Sequence, residues 1–281
     1  MSTELESERA CALAALLKAG VWDAEGDLQA LFEQHFASDT VPSDRALAAF
    51  RQDVSERCLR MPLGHILGYV YFGGVRFVVG SGVFVPRQQS MAIVQWIEKN
   101  LNLDRTSKVY DLCAGVGAIG LSICFRLGVG VVCVDKDPTA LTYLQRNLHR
   151  LGASKYGAIY QLASITNLAD FQAAASTVDV VVSNPPYVPE GTALELEWSE
   201  NHPRDSIFAH DEGKGLIEAS ARVASLLLKP GGTFLLEHSE VQSGQVNMIL
   251  HSAGFNTVRT LLIEEFSDAT GPSVITIGVR A

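Results

Sequence analysis

The stretch YDLCAGVGAIG, residues 110–120, decides the fold of this chain. It joins the strand-like run KVYDL to the helix-like run AIGLSICFRLG through a loop rich in glycine. Gly115 and Gly117 let the backbone turn sharply and approach a ligand closely, as in nucleotide-binding strand–loop–helix units. Because glycine turns after strands are common, the loop alone is also compatible with a plain tight turn. A second feature has to separate the two interpretations.

An acidic residue at the tip of the next strand supplies that feature. The run VVCVDKD ends its strand at Asp135, whose carboxylate is placed to accept hydrogen bonds from ribose hydroxyls. Together, the loop and the acid favour a nucleoside cofactor over a plain turn. A nicotinamide-binding loop expects GxGxxG directly after the strand. This loop instead has the order DxCxGxG from Asp111, which is closer to loops that hold S-adenosylmethionine.

The pattern of apolar residues divides the chain into three parts. Residues 1–61 show apolar residues at helical spacing, which predicts a small helical domain. Residues 62–86 alternate aromatic and β-branched residues around Gly73-Gly74, which is typical of a hairpin connector. In residues 87–281 strands and helices alternate, which predicts a parallel, doubly wound α/β sheet.

Composition and charge exclude several classes of protein. The 281 residues carry a formal net charge of −9, and an acidic chain lacks the basic footprint that nucleic-acid binding requires. The five cysteines form no CxxC pair and the seven histidines form no ligand-like cluster, so we expect reduced thiols and no metal site. The polar start MSTELESERA is unlike a secretory signal, and no apolar run approaches the ~20 residues of a membrane span. We therefore expect a cytoplasmic protein with neither nucleic acid nor membrane as a partner.

The strongest chemical signal is DVVVSNPPYVPE, residues 179–190, where a buried strand ends in a corner that two prolines make rigid. An amide or conjugated amine nitrogen is a poor nucleophile until its plane is bent. The side-chain oxygen of Asn184 and the carbonyl of Pro185 can each accept one N–H and so aim the lone pair at a sulfonium methyl. Tyr187 can stack on the planar substrate group. A proline-rich turn with Asn184 as an Asx-type residue is the alternative, but it would not require the cofactor loop upstream.

These motifs resemble those of known methyltransferases. SNPPY resembles the amino-methyltransferase signature shared by DNA adenine, RNA and protein-amide methyltransferases. The connector PLGHILGYVYFGGVRFVVGSGVFVPR, the loop DLCAGVGAIGLSI, the acid in VDKDPTAL and the run LKPGGTFLLEHSEVQ extend the likeness over nearly the whole chain. The wider pattern is similar to the HemK/PrmC family, which methylates the glutamine side chain of the Gly-Gly-Gln motif in peptide chain release factors.

The resemblance implies a fold, a cofactor and a set of site residues. The fold would be that of a class I S-adenosylmethionine-dependent methyltransferase, an α/β Rossmann-like domain with a seven-stranded, mostly parallel sheet, preceded by a small helical domain that recognises the substrate. The cofactor would be S-adenosyl-L-methionine, and the product S-adenosyl-L-homocysteine. Cofactor contacts would fall on Asp111, Cys113, Ala114, Gly115, Val116, Gly117, Asp135, Ser164, Ile165 and Asn184. Substrate contacts would fall on Arg87, Asn184, Pro185, Pro186 and Tyr187, of which Asn184, Pro185 and Tyr187 would be catalytic.

This chain departs from the family pattern around the cofactor and substrate entrance. After VFVPR the family usually continues with Pro, Glu, Thr and Glu, whereas residues 88–91 are QQSM. Cys113 replaces the usual first glycine of the loop, which is tolerable if its φ is negative. His202 stands where the family tends to carry Glu. The acid that commonly follows the third strand is missing, so Ser164 and Ile165 would have to serve the adenine side.

Two methyl acceptors fit this pattern. The leading interpretation is the glutamine amide of a release factor, and the alternative is a small-molecule amine or amide that a divergent paralogue methylates. A non-catalytic binding module is a third alternative, against which the intact NPPY motif argues. Trp198 and Phe208, in the long loop after this motif, either cap the substrate pocket or anchor the loop. His238 is expected to be a strand-end residue rather than a base.

Overall fold

The computed structural model describes residues 3–36, 43–268 and 270–281. Residues 1–2 and 37–42, which belong to the predicted helical domain, lie outside these ranges. Three helices form most of the described segment before residue 61: α1 (Thr3–Lys18), α2 (Ala24–Phe36) and α3 (Asp44–Cys58). No helix within the described ranges combines the length and the apolar character needed to cross a bilayer.

The three helices pack around an apolar core of their own. Leu16, Leu31 and Phe50, one from each helix, are almost fully buried in it. Ser43 caps α3, because its hydroxyl accepts a hydrogen bond from the backbone N–H of Ala46 at 3.2 Å. Such a cap satisfies one of the donors that a helix start leaves free. The predicted helices are therefore present over the described residues.

A short helix and a hairpin connect these helices to the remainder of the chain. Helix α4 (Leu63–Leu67) leads into β1 (Tyr69–Phe72) and β2 (Val75–Val78), which pair antiparallel. Gly73 and Gly74 make the turn, and both have positive φ. Two-residue hairpin turns with positive φ at both positions favour glycine. The two strands lie within residues 62–86, the segment predicted as a connector.

The remainder of the chain alternates strands and helices. The strands are β3 (Lys108–Leu112), β4 (Gly130–Asp135), β5 (Ile159–Leu162), β6 (Val178–Ser183), β7 (Val188–Pro189), β8 (Phe208–Ala209), β9 (Leu228–Glu237), β10 (Phe255–Asp268) and β11 (Gly271–Arg280). The helices are α5 (Met91–Asn100), α6 (Ala118–Leu127), α7 (Pro138–Arg150), α8 (Leu196–Ser199), α9 (Gly215–Leu227) and α10 (Ser243–Ser252). Short 3-10 helices lie at Gln88–Ser90, Ala153–Tyr156, Leu168–Ala174, Arg204–Ser206, Asp211–Gly213 and Glu240–Gln242.

A seven-stranded sheet with the order β10-β11-β9-β6-β3-β4-β5 forms the centre of this domain. Strands β9, β6, β3, β4 and β5 are parallel, and β11 runs antiparallel between β9 and β10. Val180, Val181 and Val182 of β6 are buried on both faces, as a parallel sheet with helices on both sides requires. The predicted α/β class, with a seven-stranded and mostly parallel sheet, is confirmed. Parallel pairing brings the carboxyl ends of β3, β4, β6 and β9 to one edge.

A buried ion-pair network fastens the N-terminal helices to the α/β domain. Arg57 of α3 contacts Asp27 Oδ2 at 2.5 Å and Glu197 Oε2 of α8 at 2.8 Å. The side chain of Asn201 adds a hydrogen bond to the carbonyl of Arg60 at 3.1 Å. Because a buried charge needs a partner, Arg57 couples the position of the helices to that of the loop carrying α8.

Candidate active site

A cavity of about 1050 Å³ lies at the carboxyl edge of the parallel strands. The predicted site residues that line it are Arg87, Cys113, Ala114, Gly115, Val116, Asp135, Ser164, Ile165, Asn184, Pro185, Pro186 and Tyr187. Asp111 and Gly117 lie beneath the loop after β3, outside the lining. The structure thus brings residues from the ends of four strands and from the turn before α5 to one cavity.

The loop after β3 has an open face toward a ligand. Gly115 has φ +57, and a Cβ built there would meet no atom within 4 Å. Its N–H donates to Asp135 Oδ2 at 2.8 Å, which fixes the loop against the tip of β4. Gly117 precedes α6 with φ +86, and a Cβ there would press on Leu121 and Leu144. Gly117 is therefore required by packing, whereas Gly115 leaves its surface free.

Cys113 adopts a backbone conformation that the sequence did not predict. The condition for tolerating a cysteine without strain, a negative φ, is not met, because its φ is +58 and lies in the left-handed region. A residue with a Cβ in that region costs about 1 to 2 kcal/mol, a cost that glycine avoids. The side chain packs against the apolar cluster beneath the loop, and this contact compensates for part of the strain.

Asp111 supports the same loop from below. Its Oδ2 accepts the Gly120 N–H at 2.7 Å and so holds the first turn of α6. Its Oδ1 is buried and has no hydrogen-bond partner among the described residues. Burial raises the pKa of this carboxyl to about 7, against the effect of the bond from Gly120. Asp111 and Gly117 thus shape the loop from beneath, and neither reaches the cavity wall.

The carboxylate of Asp135 lies at the tip of β4, at the cavity wall. Oδ2 accepts the Gly115 N–H, and Oδ1 accepts the Asp137 N–H at 2.9 Å. Burial raises the pKa of Asp135, and these backbone bonds oppose the rise. Each carboxylate oxygen has a second lone pair, which leaves acceptor capacity for ribose hydroxyls.

The turn after β5 continues this side of the cavity. The Ala163 N–H donates to the Asp135 carbonyl at 3.0 Å, which brings Ser164 and Ile165 beside Asp135. Ile165 is buried, and the Ser164 hydroxyl shares a hydrogen bond with Thr166 Oγ1 at 2.8 Å. The wall is therefore apolar and hydroxylic where the family usually places an acid.

The NPPY corner presents two unoccupied acceptors. Asn184 Nδ2 donates to Ser90 Oγ at 3.1 Å, which directs the amide oxygen away from Ser90. No hydrogen bond between described residues uses Asn184 Oδ1 or the Pro185 carbonyl. Pro185 is buried and is followed by Pro186. Because the two proline rings restrict the backbone at this point, the Pro185 carbonyl cannot reorient freely. An NH2 group brought into the cavity would find both acceptors at the same corner.

Tyr187 is anchored through its backbone. Its carbonyl accepts a hydrogen bond from Gln242 Nε2 at 2.9 Å. Gly213 passes so close to this carbonyl that a Cβ would overlap it, and its φ of +80 also favours glycine. Burial raises the pKa of the Tyr187 phenol, so the ring is neutral. A neutral aromatic surface therefore stands beside the two acceptors.

An aromatic group from the long loop and the connector stands at the cavity. Trp198 stacks on His202 with ring centroids 5.0 Å apart, and Phe84 lies 5.9 Å from Trp198. Burial lowers the pKa of His202 to about 4, so this ring packs as a neutral group. Arg87 lies over the Trp198 ring at 5.1 Å. Trp198 lines the cavity, whereas Phe208 is buried in β8, so one loop aromatic faces the pocket and the other anchors the loop.

Arg87 and Gln89 tie the entrance to the tip of the β10–β11 hairpin. Arg87 donates to Asp268 Oδ2 from Nε at 3.0 Å and from Nη2 at 2.6 Å, so its charge is paired within the protein. Gln89 Nε2 donates to Asp268 Oδ1 at 3.1 Å and to the Gly271 carbonyl at 2.7 Å. A glutamate at position 89 would place a carboxylate, which can only accept hydrogen bonds, against the oxygens of Asp268 and Gly271. The glutamine that departs from the family pattern therefore matches its own surroundings.

Two residues of the site were not predicted from the sequence, Ser90 and Glu237. Both line the cavity and are almost fully buried. The parallel register pairs Ser183 with Leu236, so Glu237 ends β9 beside Asn184. Burial raises the pKa of Glu237 to about 7, and a hydrogen bond from the Ser90 hydroxyl opposes the rise. The acid within the run LKPGGTFLLEHSEVQ was the available signal, because it ends β9 as Asp135 ends β4.

Known proteins resemble this chain in sequence. The model of a family described as "Conserved hypothetical protein 95" matches residues 89–201. A release factor glutamine methyltransferase of Mycolicibacterium smegmatis is 32% identical over 91% of this chain and 92% of its own length. The chain belongs to the release factor glutamine methyltransferase family. The similarity to the HemK/PrmC pattern is thereby confirmed.

One relative of this member of the release factor glutamine methyltransferase family is named for a different substrate. A 4-amino-L-phenylalanine/4-methylamino-L-phenylalanine methyltransferase of Streptomyces pristinaespiralis is 32% identical over 72% of this chain and 69% of its own. The solved structure of a SAM-dependent methyltransferase from Agrobacterium tumefaciens shares the fold, with a TM-score of 0.54 at 15% identity over 76% of this chain and 70% of its own. The protein is an S-adenosylmethionine-dependent methyltransferase, and its fold and family imply use of that cofactor.

Proposed function

We propose that this protein N-methylates the side-chain amide of the glutamine in the Gly-Gly-Gln motif of a peptide chain release factor. The observation that carries the proposal is the pair of unoccupied acceptors, Asn184 Oδ1 and the Pro185 carbonyl, at the cavity wall. A primary amide carries two N–H donors on one nitrogen, so a single group satisfies both. The activity named for the Mycolicibacterium smegmatis relative supports a release factor as the source of that amide.

The opposite side of the cavity fits the adenosyl part of S-adenosylmethionine. The open backbone at Gly115 would hold the chain of the cofactor, Asp135 the ribose hydroxyls, and Ser164 with Ile165 the adenine. When bound, S-adenosylmethionine supplies an electrophilic methyl group on a sulfonium. The buried carboxylate of Asp135 is the residue on which this placement depends most, because its oxygens retain acceptor capacity.

Asn184 and Pro185 would prepare the acceptor nitrogen. The lone pair of an amide nitrogen is delocalised into its carbonyl, so the group is planar and weakly nucleophilic. Hydrogen bonds to two acceptors on one side bend the NH2 group and localise the lone pair on the other side. The prolines keep the acceptors in place, which matters because misplacement by about 1 Å can lower a rate ~100-fold. The proton becomes acidic only as the new N–C bond forms, so it leaves to water without a strong base.

Methyl transfer from labelled S-adenosylmethionine to a purified release factor tests the proposal. We expect label on the release factor and none on a matched factor in which the motif glutamine is replaced by alanine. Mass spectrometry of the peptide should place one methyl group on the glutamine side chain. Equal labelling of both factors, or labelling of neither, would contradict the proposal.

N-methylation of a small aromatic amine is the second candidate. The aromatic rings of Trp198 and Tyr187 at the acceptor side favour it, together with the activity named for the Streptomyces pristinaespiralis relative. An aryl amine nitrogen is also delocalised, so the same corner would activate it. Offering 4-amino-L-phenylalanine in the same assay separates the candidates, because a labelled small product beside an unlabelled release factor would support only this one.

A further inference from the structure

Ser90 lies between two buried polar side chains at the bottom of the acceptor side. Its Oγ accepts a hydrogen bond from Asn184 Nδ2 at 3.1 Å, so its own proton is left for another acceptor. The carboxyl of Glu237 is the neighbouring acceptor, and Ser90 lowers the pKa of that carboxyl. Ser90 is 3% exposed and Glu237 is 2% exposed, so both side chains are largely buried at the cavity wall. The parallel register of β6 and β9 places Glu237 beside Asn184, which makes the contact a property of the sheet.

The orientation of the Asn184 amide depends on which of Glu237, Ser90 and Asn184 donates a proton to its neighbour. An ionised carboxylate can only accept, so the single hydroxyl proton of Ser90 must go to Glu237. The lone pair that remains on Ser90 can then accept only from the NH2 of Asn184. The amide oxygen is thereby turned toward the cavity, where an acceptor N–H needs it.

We propose that Glu237, acting through Ser90, is a positioning residue that sets the orientation of the Asn184 amide for methyl transfer. This inference rests on the proposed N-methyl transfer but not on the identity of the acceptor. Glu237 Oε2 is buried and has no hydrogen-bond partner among the described residues, so the carboxyl is not fully satisfied by structural contacts. A buried acid held in this way beside a reacting corner is more costly than a packing role requires.

Protonation of Glu237 would reverse the direction of both hydrogen bonds, from Glu237 to Ser90 and from Ser90 to Asn184. A neutral carboxyl can donate to Ser90 Oγ, which frees the hydroxyl proton of Ser90 for the oxygen of Asn184. The amide would then turn its NH2 group toward the cavity, where it would face the N–H groups of the methyl acceptor. The ionised form is therefore the active one, and the rate should rise with pH as Glu237 loses its proton.

The surroundings place that titration near neutral pH. Burial raises the pKa of Glu237 to about 7, Asp268 raises it further, and Arg87 lowers it. The Tyr187 phenol also faces Glu237 and stays neutral, because burial raises its own pKa. The next residue, His238, has its ring nitrogens bound to the Ser239 carbonyl and to Thr276 Oγ1, as expected for a strand-end residue.

Single-turnover methyl transfer measured from pH 5.5 to 9 with saturating cofactor tests the chain of contacts. Wild type should show a rate that rises about tenfold through pH 7, since its oriented form requires the ionised acid. Glu237→Gln should be slower by roughly ten- to a hundredfold and lose this rise, the scale of one buried hydrogen bond. Ser90→Ala should lose a similar factor, and Ser90→Thr should recover most of it because the hydroxyl returns. Equal losses in Ser90→Ala and Ser90→Thr, or a wild-type pH profile in Glu237→Gln, would overturn the inference.

A second measurement works whether or not a release factor is the acceptor. The side-chain NH2 resonances of ¹⁵N-asparagine-labelled protein can be recorded across the same pH range, with the Asn184→Ala protein identifying the signal of Asn184. We expect that signal to shift between pH 6 and 8 in wild type and to stay constant in Glu237→Gln. A constant signal in wild type would refute the inference. A shifting signal without transfer to any tested acceptor would instead refute the proposed function.

Discussion

The cofactor side and the acceptor side of the cavity are held by different kinds of contact. On the cofactor side, the carboxylate of Asp135 accepts the Gly115 N–H of the glycine loop, and that of Asp111 accepts the Gly120 N–H in the first turn of α6. On the acceptor side, side chains bind side chains, as Ser90 binds Asn184. A backbone contact survives many substitutions in the loop, whereas a side-chain contact fails when either partner changes. Cofactor binding and acceptor positioning should therefore fail independently.

The largest expected effect comes from Arg57→Met, a change outside the cavity that removes the ion pair between α3 and α8. Asp27 and Glu197 would be left without their shared partner, and an uncompensated buried charge costs about 3 kcal/mol of unfolding free energy. Chemical denaturation measures this loss. The KM for the acceptor should rise because α8 loses its anchor, while calorimetry should show unchanged cofactor affinity.

Arg51→Met is the matched control, since Arg51 lies in α3 like Arg57 and forms an exposed ion pair with Glu8 of α1. Its cost should stay below about 1 kcal/mol. Similar losses of stability in the Arg51 and Arg57 variants would contradict the role assigned to the buried network.

Asn184→Ala should stop the chemistry while leaving the cofactor side intact. Removing one pre-organised polar contact from an active site typically lowers a rate by ~100-fold or more. Cofactor affinity and the thermal midpoint should change little, because the Asn184 side chain makes one hydrogen bond to a neighbour. Single-turnover transfer and a thermal melt on the same preparation measure both. An active but destabilised variant would reduce Asn184 to a turn residue.

Asp135→Asn should do the opposite and weaken the cofactor side alone. We expect cofactor binding to lose about 1 to 3 kcal/mol in calorimetry, the scale of hydrogen bonds to a charged group. The single-turnover rate at saturating cofactor should remain close to wild type. Asp104→Asn, in an exposed loop, is the matched control and should change neither quantity. Unchanged affinity in Asp135→Asn would remove Asp135 from the cofactor site.

Gln89→Glu tests whether the departure from the family pattern is matched by its surroundings. The new carboxylate would face Asp268 and the Gly271 carbonyl, so the unfolding free energy should fall by about 1 kcal/mol at neutral pH. The loss should shrink as pH falls and the new acid takes up a proton. Gln145→Glu, at an exposed position on α7, is the matched control and should stay within ~0.5 kcal/mol. Equal effects at both positions would show that the hairpin contact does not matter.

Cys113→Gly should have the smallest effect and should stabilise the protein. Glycine removes the left-handed strain at φ +58 but also loses the apolar packing of the side chain and adds entropy to the unfolded chain. We expect a gain of about 1 kcal/mol or less in chemical denaturation, with unchanged cofactor affinity. A loss of stability would mean that packing outweighs strain.

The cofactor side could be predicted because its parts are close in sequence. The loop and the acid of Asp135 belong to two consecutive strands, and parallel pairing alone brings their ends together. Strand β3 matches the strand-like run KVYDL residue for residue, and β6 ends directly before the NPPY corner as expected. The φ of Cys113 could not be predicted, because composition reports which residue tolerates a conformation and not which conformation the loop adopts.

The acceptor side could not be predicted in the same way, because its contacts join distant segments. Ser90 and Asn184 are 94 positions apart, and Arg87 and Asp268 are 181 apart. The NPPY motif marked a corner of the cavity but not the side chains that contact it. Arg87 was predicted to contact substrate, and the structure shows that its charge is already paired at the cavity wall. Only the folded sheet reveals which strand-end residues meet.

The small ladder between β7 and β8 separates the long loop from the corner that precedes it. Val188 pairs with Phe208 and Pro189 with Ala209, so both ends of the loop are pinned at one place. Residues 190–207 can therefore change in sequence or length without moving Asn184 or Pro185. The sequence and length of such a loop can differ while the NPPY corner keeps its position. The loop is thus a part of the chain in which relatives named for a release factor and for an amino acid, each 32% identical to it over 91% and 72% of its length, can differ without disturbing the corner.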